Sequence, residues 1–265
     1  MDGAGVDAWS AVADGWAELW STMADPARRA LLDATAVGPG TRVLDVGCGS
    51  GELLDAATRR GAVVTGVDPA PGMRALAAAR VPDADVRDGD AEHLPFGRGA
   101  FDVVLAVNAL QFADDLDDAL AEVVRVTVPG GLVGVSNWAE GARNDVTVVE
   151  DAVARFHDDD PVPDGDLRPA GGLERVLREA GLDVVEAGLV DLTWEVPDDA
   201  TLVRGILLGE DPDTVAEATP TVLAAASPFR TSSGGYRLSN AFRWAVARTP
   251  SDASHAPPPP IPPRS

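Results

Sequence analysis

The sequence predicts an α/β fold in which a mostly parallel sheet carries helices on both faces, and three observations predict it. Apolar strand-like runs alternate with helical segments of about ten residues from Val43 to Asn137, the pattern of successive parallel β-α-β units. The first run, Val43-Leu44-Asp45-Val46, passes into Gly47-Cys48-Gly49-Ser50-Gly51, with glycine at alternate positions. Asp45, Asp68, Asp90 and Asn108 stand at the ends of four successive runs. Ligands of such sheets bind beyond the carboxyl ends of the strands, so these residues are expected to meet at one edge.

Each element has its own local reason. Trp9, Val12, Ala13, Trp16, Leu19, Trp20 and Met23 form an i, i+3, i+4, i+7 stripe, which predicts an amphipathic helix over Val6 to Met23. A second helix, Asp25 to Thr35, has Pro26 at its start, where a missing N–H costs nothing. After the glycine loop come a helix from Glu52 to Arg60, a run from Ala62 to Val67 ending in Asp68, and a helix from Pro71 to Ala79. A third run closes on Asp90, a fourth spans Phe101 to Phe112, a helical pattern covers Leu116 to Val126, and another strand lies in Pro129 to Ser136. From Ala139 to Pro169 the pattern weakens, and Phe156 to Gly165 reads as a polar loop. Regular structure resumes with a helix Gly172 to Ala180, a strand Leu182 to Trp194, helices Asp198 to Leu208 and Asp211 to Ala226, and a strand Tyr236 to Ala247. The proline-rich end, from Pro257 to Pro263, predicts an extended, disordered tail.

Composition excludes whole classes of function. The 265 residues, 45% of them hydrophobic, suffice for one large core. No run of about 18 apolar residues occurs and the N-terminus lacks the basic start of a secretory signal, so a soluble, cytoplasmic protein with no membrane partner is expected. Cys48 is the single cysteine and the three histidines are scattered at 93, 157 and 255. An internal disulfide is therefore excluded and no metal is expected; His157 beside Asp158, Asp159 and Asp160 reads as a solvated loop. The net charge is −22 and no lysine occurs, all 21 basic residues being arginine. Schiff-base, pyridoxal-phosphate and Walker-loop chemistry are thus closed to the chain. A field this negative also repels nucleic acid and anionic lipid. The same bias suits a GC-rich genome or growth in high salt.

The glycine loop points to a nucleotide-like ligand, because glycine lets a strand turn sharply and a ligand approach the backbone near the next helix's N-terminus. Its spacing is G-x-G-x-G with an acid two residues before the first glycine, whereas a dinucleotide site asks for G-x-G-x-x-G. Asp68, ending the second strand, suits both hydroxyls of a ribose; it equally suits capping the helix that follows.

Taken together, these blocks resemble the class I S-adenosylmethionine-dependent methyltransferases, and within them the small-molecule group that includes the ubiquinone and menaquinone enzymes. The resemblance covers Leu31 to Asn137. It implies a Rossmann-like seven-stranded sheet, mostly parallel with an antiparallel last strand and helices on both faces. Residues 1–36 would be N-terminal lid helices, 37–250 the catalytic domain with a helical cap at about 195–232, and 251–265 the tail. The implied cofactor is S-adenosyl-L-methionine, leaving as S-adenosyl-L-homocysteine, and the implied partner is a small-molecule methyl acceptor, with oligomeric state open. Gly47, Cys48, Gly49 and Gly51 would hold its amino-acid end, with Asp45 either meeting the ammonium or locking the turn. Asp68 would take the ribose, Pro69 and Met73 would pack on adenine, and Asp90 with the Ala91 backbone would meet its amino group. Asn108 at the fourth strand's end and Trp16 on the first helix complete the set.

Methyl transfer from a sulfonium is accelerated mainly by proximity and orientation, so a base is required only when the acceptor must lose a proton. Gln111 faces the transfer region in the family pattern and can position an acceptor, but it cannot abstract a proton. By residue type His157, Tyr236, Glu140 and His93 are further candidates, none with a supporting motif. Trp9, Trp16 and Trp20 read either as core or as a lid whose rings attract the sulfonium. Two other readings suit the loop: a protein of this fold that holds the cofactor without turning it over and, more remotely, a nicotinamide oxidoreductase. Against the last stand the glycine spacing and the absence of a Tyr-x-x-x-Lys pair.

Overall fold

A computed structural model describes residues 3–251, so all of the 251–265 tail except its first residue lies outside the described region. Two helices, α1 (Gly3–Leu19) and α2 (Asp25–Ala34), precede β1 (Arg42–Val46). Then come α3 (Glu52–Thr58), β2 (Val63–Val67), α4 (Pro71–Arg80), β3 (Asp85–Arg87), β4 (Phe101–Val107), α5 (Leu116–Val126) and β5 (Thr127–Trp138). The remaining elements are α6 (Asp145–Phe156), α7 (Gly172–Glu179), β6 (Asp183–Val196), α8 (Asp199–Ile206), α9 (Pro212–Ala226) and β7 (Tyr236–Arg248).

The strands form one seven-stranded sheet in the order β3-β2-β1-β4-β5-β7-β6. Pairing is parallel from β3 through β5, and β7 runs antiparallel to both β5 and β6. This is the Rossmann-like arrangement that the family resemblance implies. Helices cover both faces, so Val43, Leu44, Asp45 and Val46 of β1 are buried in succession rather than alternately. Leu44, Val104, Leu120 and Leu177 belong to the core on one face, and Leu31, Leu54, Leu105 and Val246 to that on the other. A third apolar cluster joins Trp20, Val149, Trp194, Leu202, Val222 and Phe242 beyond the strand ends.

Where the elements differ from the sequence reading, local geometry supplies the reason. The first helix ends at Leu19 rather than Met23, because Trp20 and Ser21 both donate their backbone N–H to Trp16 O and the chain turns there. β3 pairs with β2 only over Asp85–Arg87, so its strand stops short of Asp90. β4 ends at Val107 because Asn108 adopts φ 56°, and a short 3-10 turn covers Leu110–Phe112. The weakly patterned region contains a helix after all, α6, held to β7 by paired asparagines. Asn144 Oδ1 accepts from Ala241 N (2.9 Å), and Asn240 Oδ1 accepts from Val146 N (3.1 Å). Among the described residues no helix is long and apolar enough to cross a membrane.

Candidate functional site

The loop after β1 is built by its glycines. Gly47 has φ 69°, and a Cβ there would stand 2.5 Å from the Ala109 Cβ. Gly51 has φ 87° and lies against Ala77, whose Cα would be 2.9 Å from an added Cβ. Larger residues would therefore face both a strained backbone and a collision.

The loop's own N–H groups are largely spent on holding it. Gly47 N and Cys48 N donate to Val67 O at 2.8 and 3.0 Å, Gly51 N donates to Cys48 O, and Gly49 N donates to Asp68 Oδ2 at 2.9 Å. Asp68 Oδ1 accepts from Ala70 N, also at 2.9 Å. Asp68 thus locks the loop to the end of β2 and keeps further lone pairs on both oxygens. Burial pushes its carboxyl up, with the Ala70 and Gly49 N–H groups and Arg74 opposing the shift. Arg74 Nη1 ties this corner down, donating to the Asp68 and Pro69 carbonyls and to Asp88.

Asp45 and Asn108 carry polar atoms with nothing to meet. Asp45 is 2% exposed, and no hydrogen bond reaches its carboxylate among the described residues. Burial drives its pKa well upward; Arg28 pulls it down, while Asp68 and Glu52 add to the rise. Asn108 Oδ1 is buried without a hydrogen-bond partner. Buried groups of this kind are uncommon in a finished protein interior and suit one that closes on a ligand.

Asp45 and Asn108 both line one cavity of about 830 Å³ that extends from the glycine loop to α1, α6 and α8. Asp45, Gly47, Cys48, Gly49, Asp68, Pro69, Met73, Asp90, Ala91, Asn108, Trp16 and Gln111 all line it. Gln111 Nε2 is held by the Asn108 carbonyl at 3.2 Å. Trp9 and Trp16 meet edge to face at 5.1 Å, and Trp9 reaches Phe112 at 5.4 Å, so α1 joins the segment after β4 across the chamber. Trp20 also lines the chamber but belongs to the core: it stacks on Trp194 at 4.3 Å and donates Nε1–H to Gly205 O.

Three expected site residues lie elsewhere. Gly51 does not line the cavity; it caps α3 and gives Ala77 room to pack. His157 is exposed at the end of α6 and outside the chamber. Tyr236 is 2% exposed within the third apolar cluster, its hydroxyl donating to Asp199 and accepting from Arg230, so it ties the start of α8 to β7. Of the other base candidates, Glu140 is bound by Arg243 and Arg143, and the His93 ring is exposed beside Asp90 at 3.2 Å. Glu92, next to it, accepts from the Asp114 and Asp115 N–H groups.

Two site residues escaped the sequence reading. Arg28 of α2 is the one basic residue among the described cavity lining, with a side chain 11% exposed. Both of its hydrogen bonds, to Ser21 O and Asp25 Oδ1, come from Nη1. Glu150 of α6 is the other. Its signal was present: Val146, Val149, Glu150 and Val153 occupy i, i+3, i+4 and i+7, so an acid replaces an apolar residue on the inward stripe.

Residues 44–135 match a family model described as a methyltransferase domain. The chain is 38% identical over 112 residues to the demethylmenaquinone methyltransferase of Renibacterium salmoninarum, covering 42% of this chain and 47% of that one. It is equally 38% identical over 112 residues to the malonyl-[acyl-carrier protein] O-methyltransferase of Serratia marcescens, covering 42% and 44%. The match thus spans less than half the length of these relatives. Among solved structures, the [4+2]-cyclase SpnF superposes with a TM-score of 0.59 at 22% identity, covering 88% of this chain and 83% of that one, a likeness of fold.

Proposed function

We propose, from the match of residues 44–135 to a methyltransferase-domain model, that the protein transfers a methyl group from S-adenosylmethionine to a small organic acceptor. The observation that carries this reading is the continuity of the cavity. One chamber holds both the acid-and-glycine edge of β1, β2 and β4 and an apolar end lined by Trp16, Trp138, Ile206, Leu208 and Phe242.

The residues present fit the cofactor. When bound, S-adenosylmethionine supplies a methyl group already activated on a sulfonium. Asp45, unpaired and buried, receives the ammonium of the amino-acid end, and the orphaned Asn108 Oδ1 offers a second acceptor. Arg28 takes the carboxylate, a task that the Gly47, Cys48, Gly49 and Gly51 N–H groups cannot share while bonded to Val67, Asp68 and Cys48. The spare lone pairs of Asp68 receive the ribose hydroxyls. Pro69, Met73 and Ala91 flank the base, with Asp90 near its amino group. The Trp9–Trp16 pair on α1 covers the chamber and limits water around the sulfonium. Rate enhancement then rests on holding acceptor and methyl in line.

Calorimetric titration with S-adenosylmethionine, S-adenosylhomocysteine and NADH tests the reading. Micromolar binding of the first two alone is expected. Binding of NADH alone, or of none of the three, overturns it. Binding of S-adenosylmethionine without methyl transfer to any of a broad acceptor panel favours a cofactor-holding protein of the same fold.

A further inference from the structure

The acceptor end of the chamber is apolar except for acids. Trp138 and Phe242 meet edge to face at 4.6 Å, and with Trp16, Ile206 and Leu208 they give a mainly hydrocarbon wall. Into it α6 sets Glu150, which makes no hydrogen bond or ion pair among the described residues. The carboxylate is accessible yet closely surrounded by protein, the state of a group facing a deep chamber. Burial pushes its pKa up, Arg168 opposing and Asp151 reinforcing the shift.

Its position is fixed. The first turn of α6 is clamped to β7 by the Asn144 and Asn240 bonds and by Ser239 N donating to Asp145 Oδ2 at 2.7 Å. Val146 and Val149, on the same stripe, are at most 1% exposed. Glu150 is therefore held at a fixed place on the chamber's rim of helices.

The lining of the chamber is strongly acidic, with Asp45, Glu52, Asp68, Asp90, Glu92 and Glu150 all facing it, so its field favours a cation. Among the described residues the one basic side chain lining the cavity, Arg28, belongs to the end near Asp45, and Glu210 adds a further acid near α8. A neutral hydroxyl gains nothing from this field and an anion would be repelled by it, whereas an ammonium group is attracted both by the carboxylates and by the faces of the aromatic wall. We propose that Glu150 is the acceptor-recognising residue and that the acceptor is a largely apolar molecule bearing a protonated amine. This rests on the reading of the chamber as a site for cofactor and acceptor together.

The test uses the full chain and three probes sharing one indolylethyl body: tryptamine, tryptophol and indole-3-propionate, carrying an ammonium, a hydroxyl and a carboxylate. Each is titrated up to millimolar concentration by calorimetry, with and without S-adenosylhomocysteine, into wild type and Glu150→Gln. Tryptamine is expected to bind at least tenfold more tightly than the other two. The advantage should vanish in Glu150→Gln and be restored in part by Glu150→Asp, with the affinity for S-adenosylhomocysteine unchanged throughout. Tryptamine binding no tighter than indole-3-propionate, absence of tryptamine binding, or equal tryptamine binding by the glutamine variant overturns the proposal. Failure of S-adenosylhomocysteine to bind while tryptamine still depends on Glu150 would instead sink the methyl-transfer reading alone.

Discussion

The Gly49 N–H donates to Asp68 Oδ2 at 2.9 Å, so the carboxylate that ends β2 fastens the turn that follows β1. One side chain thus shapes the loop and presents acceptors to whatever lies on it. Asp68→Ala removes both roles. A hydrogen bond to a charged group contributes about 1.5–3 kcal/mol, so S-adenosylhomocysteine affinity is expected to fall by roughly tenfold or more. Unchanged affinity in a folded variant would contradict the role given to Asp68.

Asp45 sets stability against binding. Its folded pKa stands well above the ordinary 3.8, so the fold loses stability as pH rises past the unfolded value towards the folded one. Asp45→Asn is expected to stabilise the ligand-free protein by about 1–3 kcal/mol at pH 8, with a smaller gain at pH 4. The same change should weaken S-adenosylhomocysteine. Thermal melts at the two pH values, with and without ligand, decide the matter; a destabilised ligand-free variant refutes it.

Arg28 separates the two ends of the cofactor. Arg28→Ala is expected to weaken S-adenosylhomocysteine by about tenfold or more, as for a lost charged contact. Affinity for 5′-methylthioadenosine, which lacks the amino-acid end, should hold within about twofold. Parallel loss of both ligands would mean that Arg28 supports the fold and not the carboxylate.

Gly72 lets α1 sit down on α4. A Cβ at this position would stand 2.6 Å from the Ser10 carbonyl oxygen, and the Gly72 N–H already donates to Ser10 Oγ at 3.2 Å. Gly72→Ala should therefore lift α1, costing about 1–3 kcal/mol as overpacking does. Faster S-adenosylhomocysteine release in stopped-flow measurements is the expected sign that α1 covers the ligand. A release rate equal to that of wild type would deny α1 that part.

Glu140 links the end of β5 to β7. Burial would raise its carboxyl, but its own backbone N–H together with Arg243 and Arg143 outweighs this and holds the pKa at about 2, against an ordinary 4.5. The stability it contributes is present in full above 4.5 and lost as pH falls towards 2. Glu140→Gln should lower the melting temperature at pH 7 and leave it nearly unchanged relative to wild type at pH 2. A deficit of equal size at both values would refute the ion-pair account.

How much of this was legible in the sequence depended on whether a residue's job was local. Gly47 and Asp68 announce themselves because a strand end, a turn and an acid lie next to one another in the chain. The seven-stranded sheet with its antiparallel last strand came from family resemblance, and the strand order only from the structure, since periodicity does not say which strands are neighbours. Arg28 looked like any helix-surface arginine, and only the packing of α2 across β4 to β7 gives it a cavity to line. Tyr236 misled because its residue type suggested chemistry, while the Asp199 and Arg230 contacts that employ it are 37 and 6 positions away. α6 was hidden by the acid on its inward stripe, which broke the pattern that would have marked it.

The place of β7 between β5 and β6 bears on how the molecule is made. Synthesis proceeds from the N-terminus, yet this strand, emerging after all the others, supplies Ala245 and Ala247 to one core, Trp244 and Val246 to the second, and Leu238 and Phe242 to the third. Residues 42–138 can begin to assemble on the ribosome as β1 to β5. β6 has no permanent neighbour until residues 236–248 slide in beside it. Completion of the sheet, and with it the wall that carries Glu150, is thus a late event in the life of each chain.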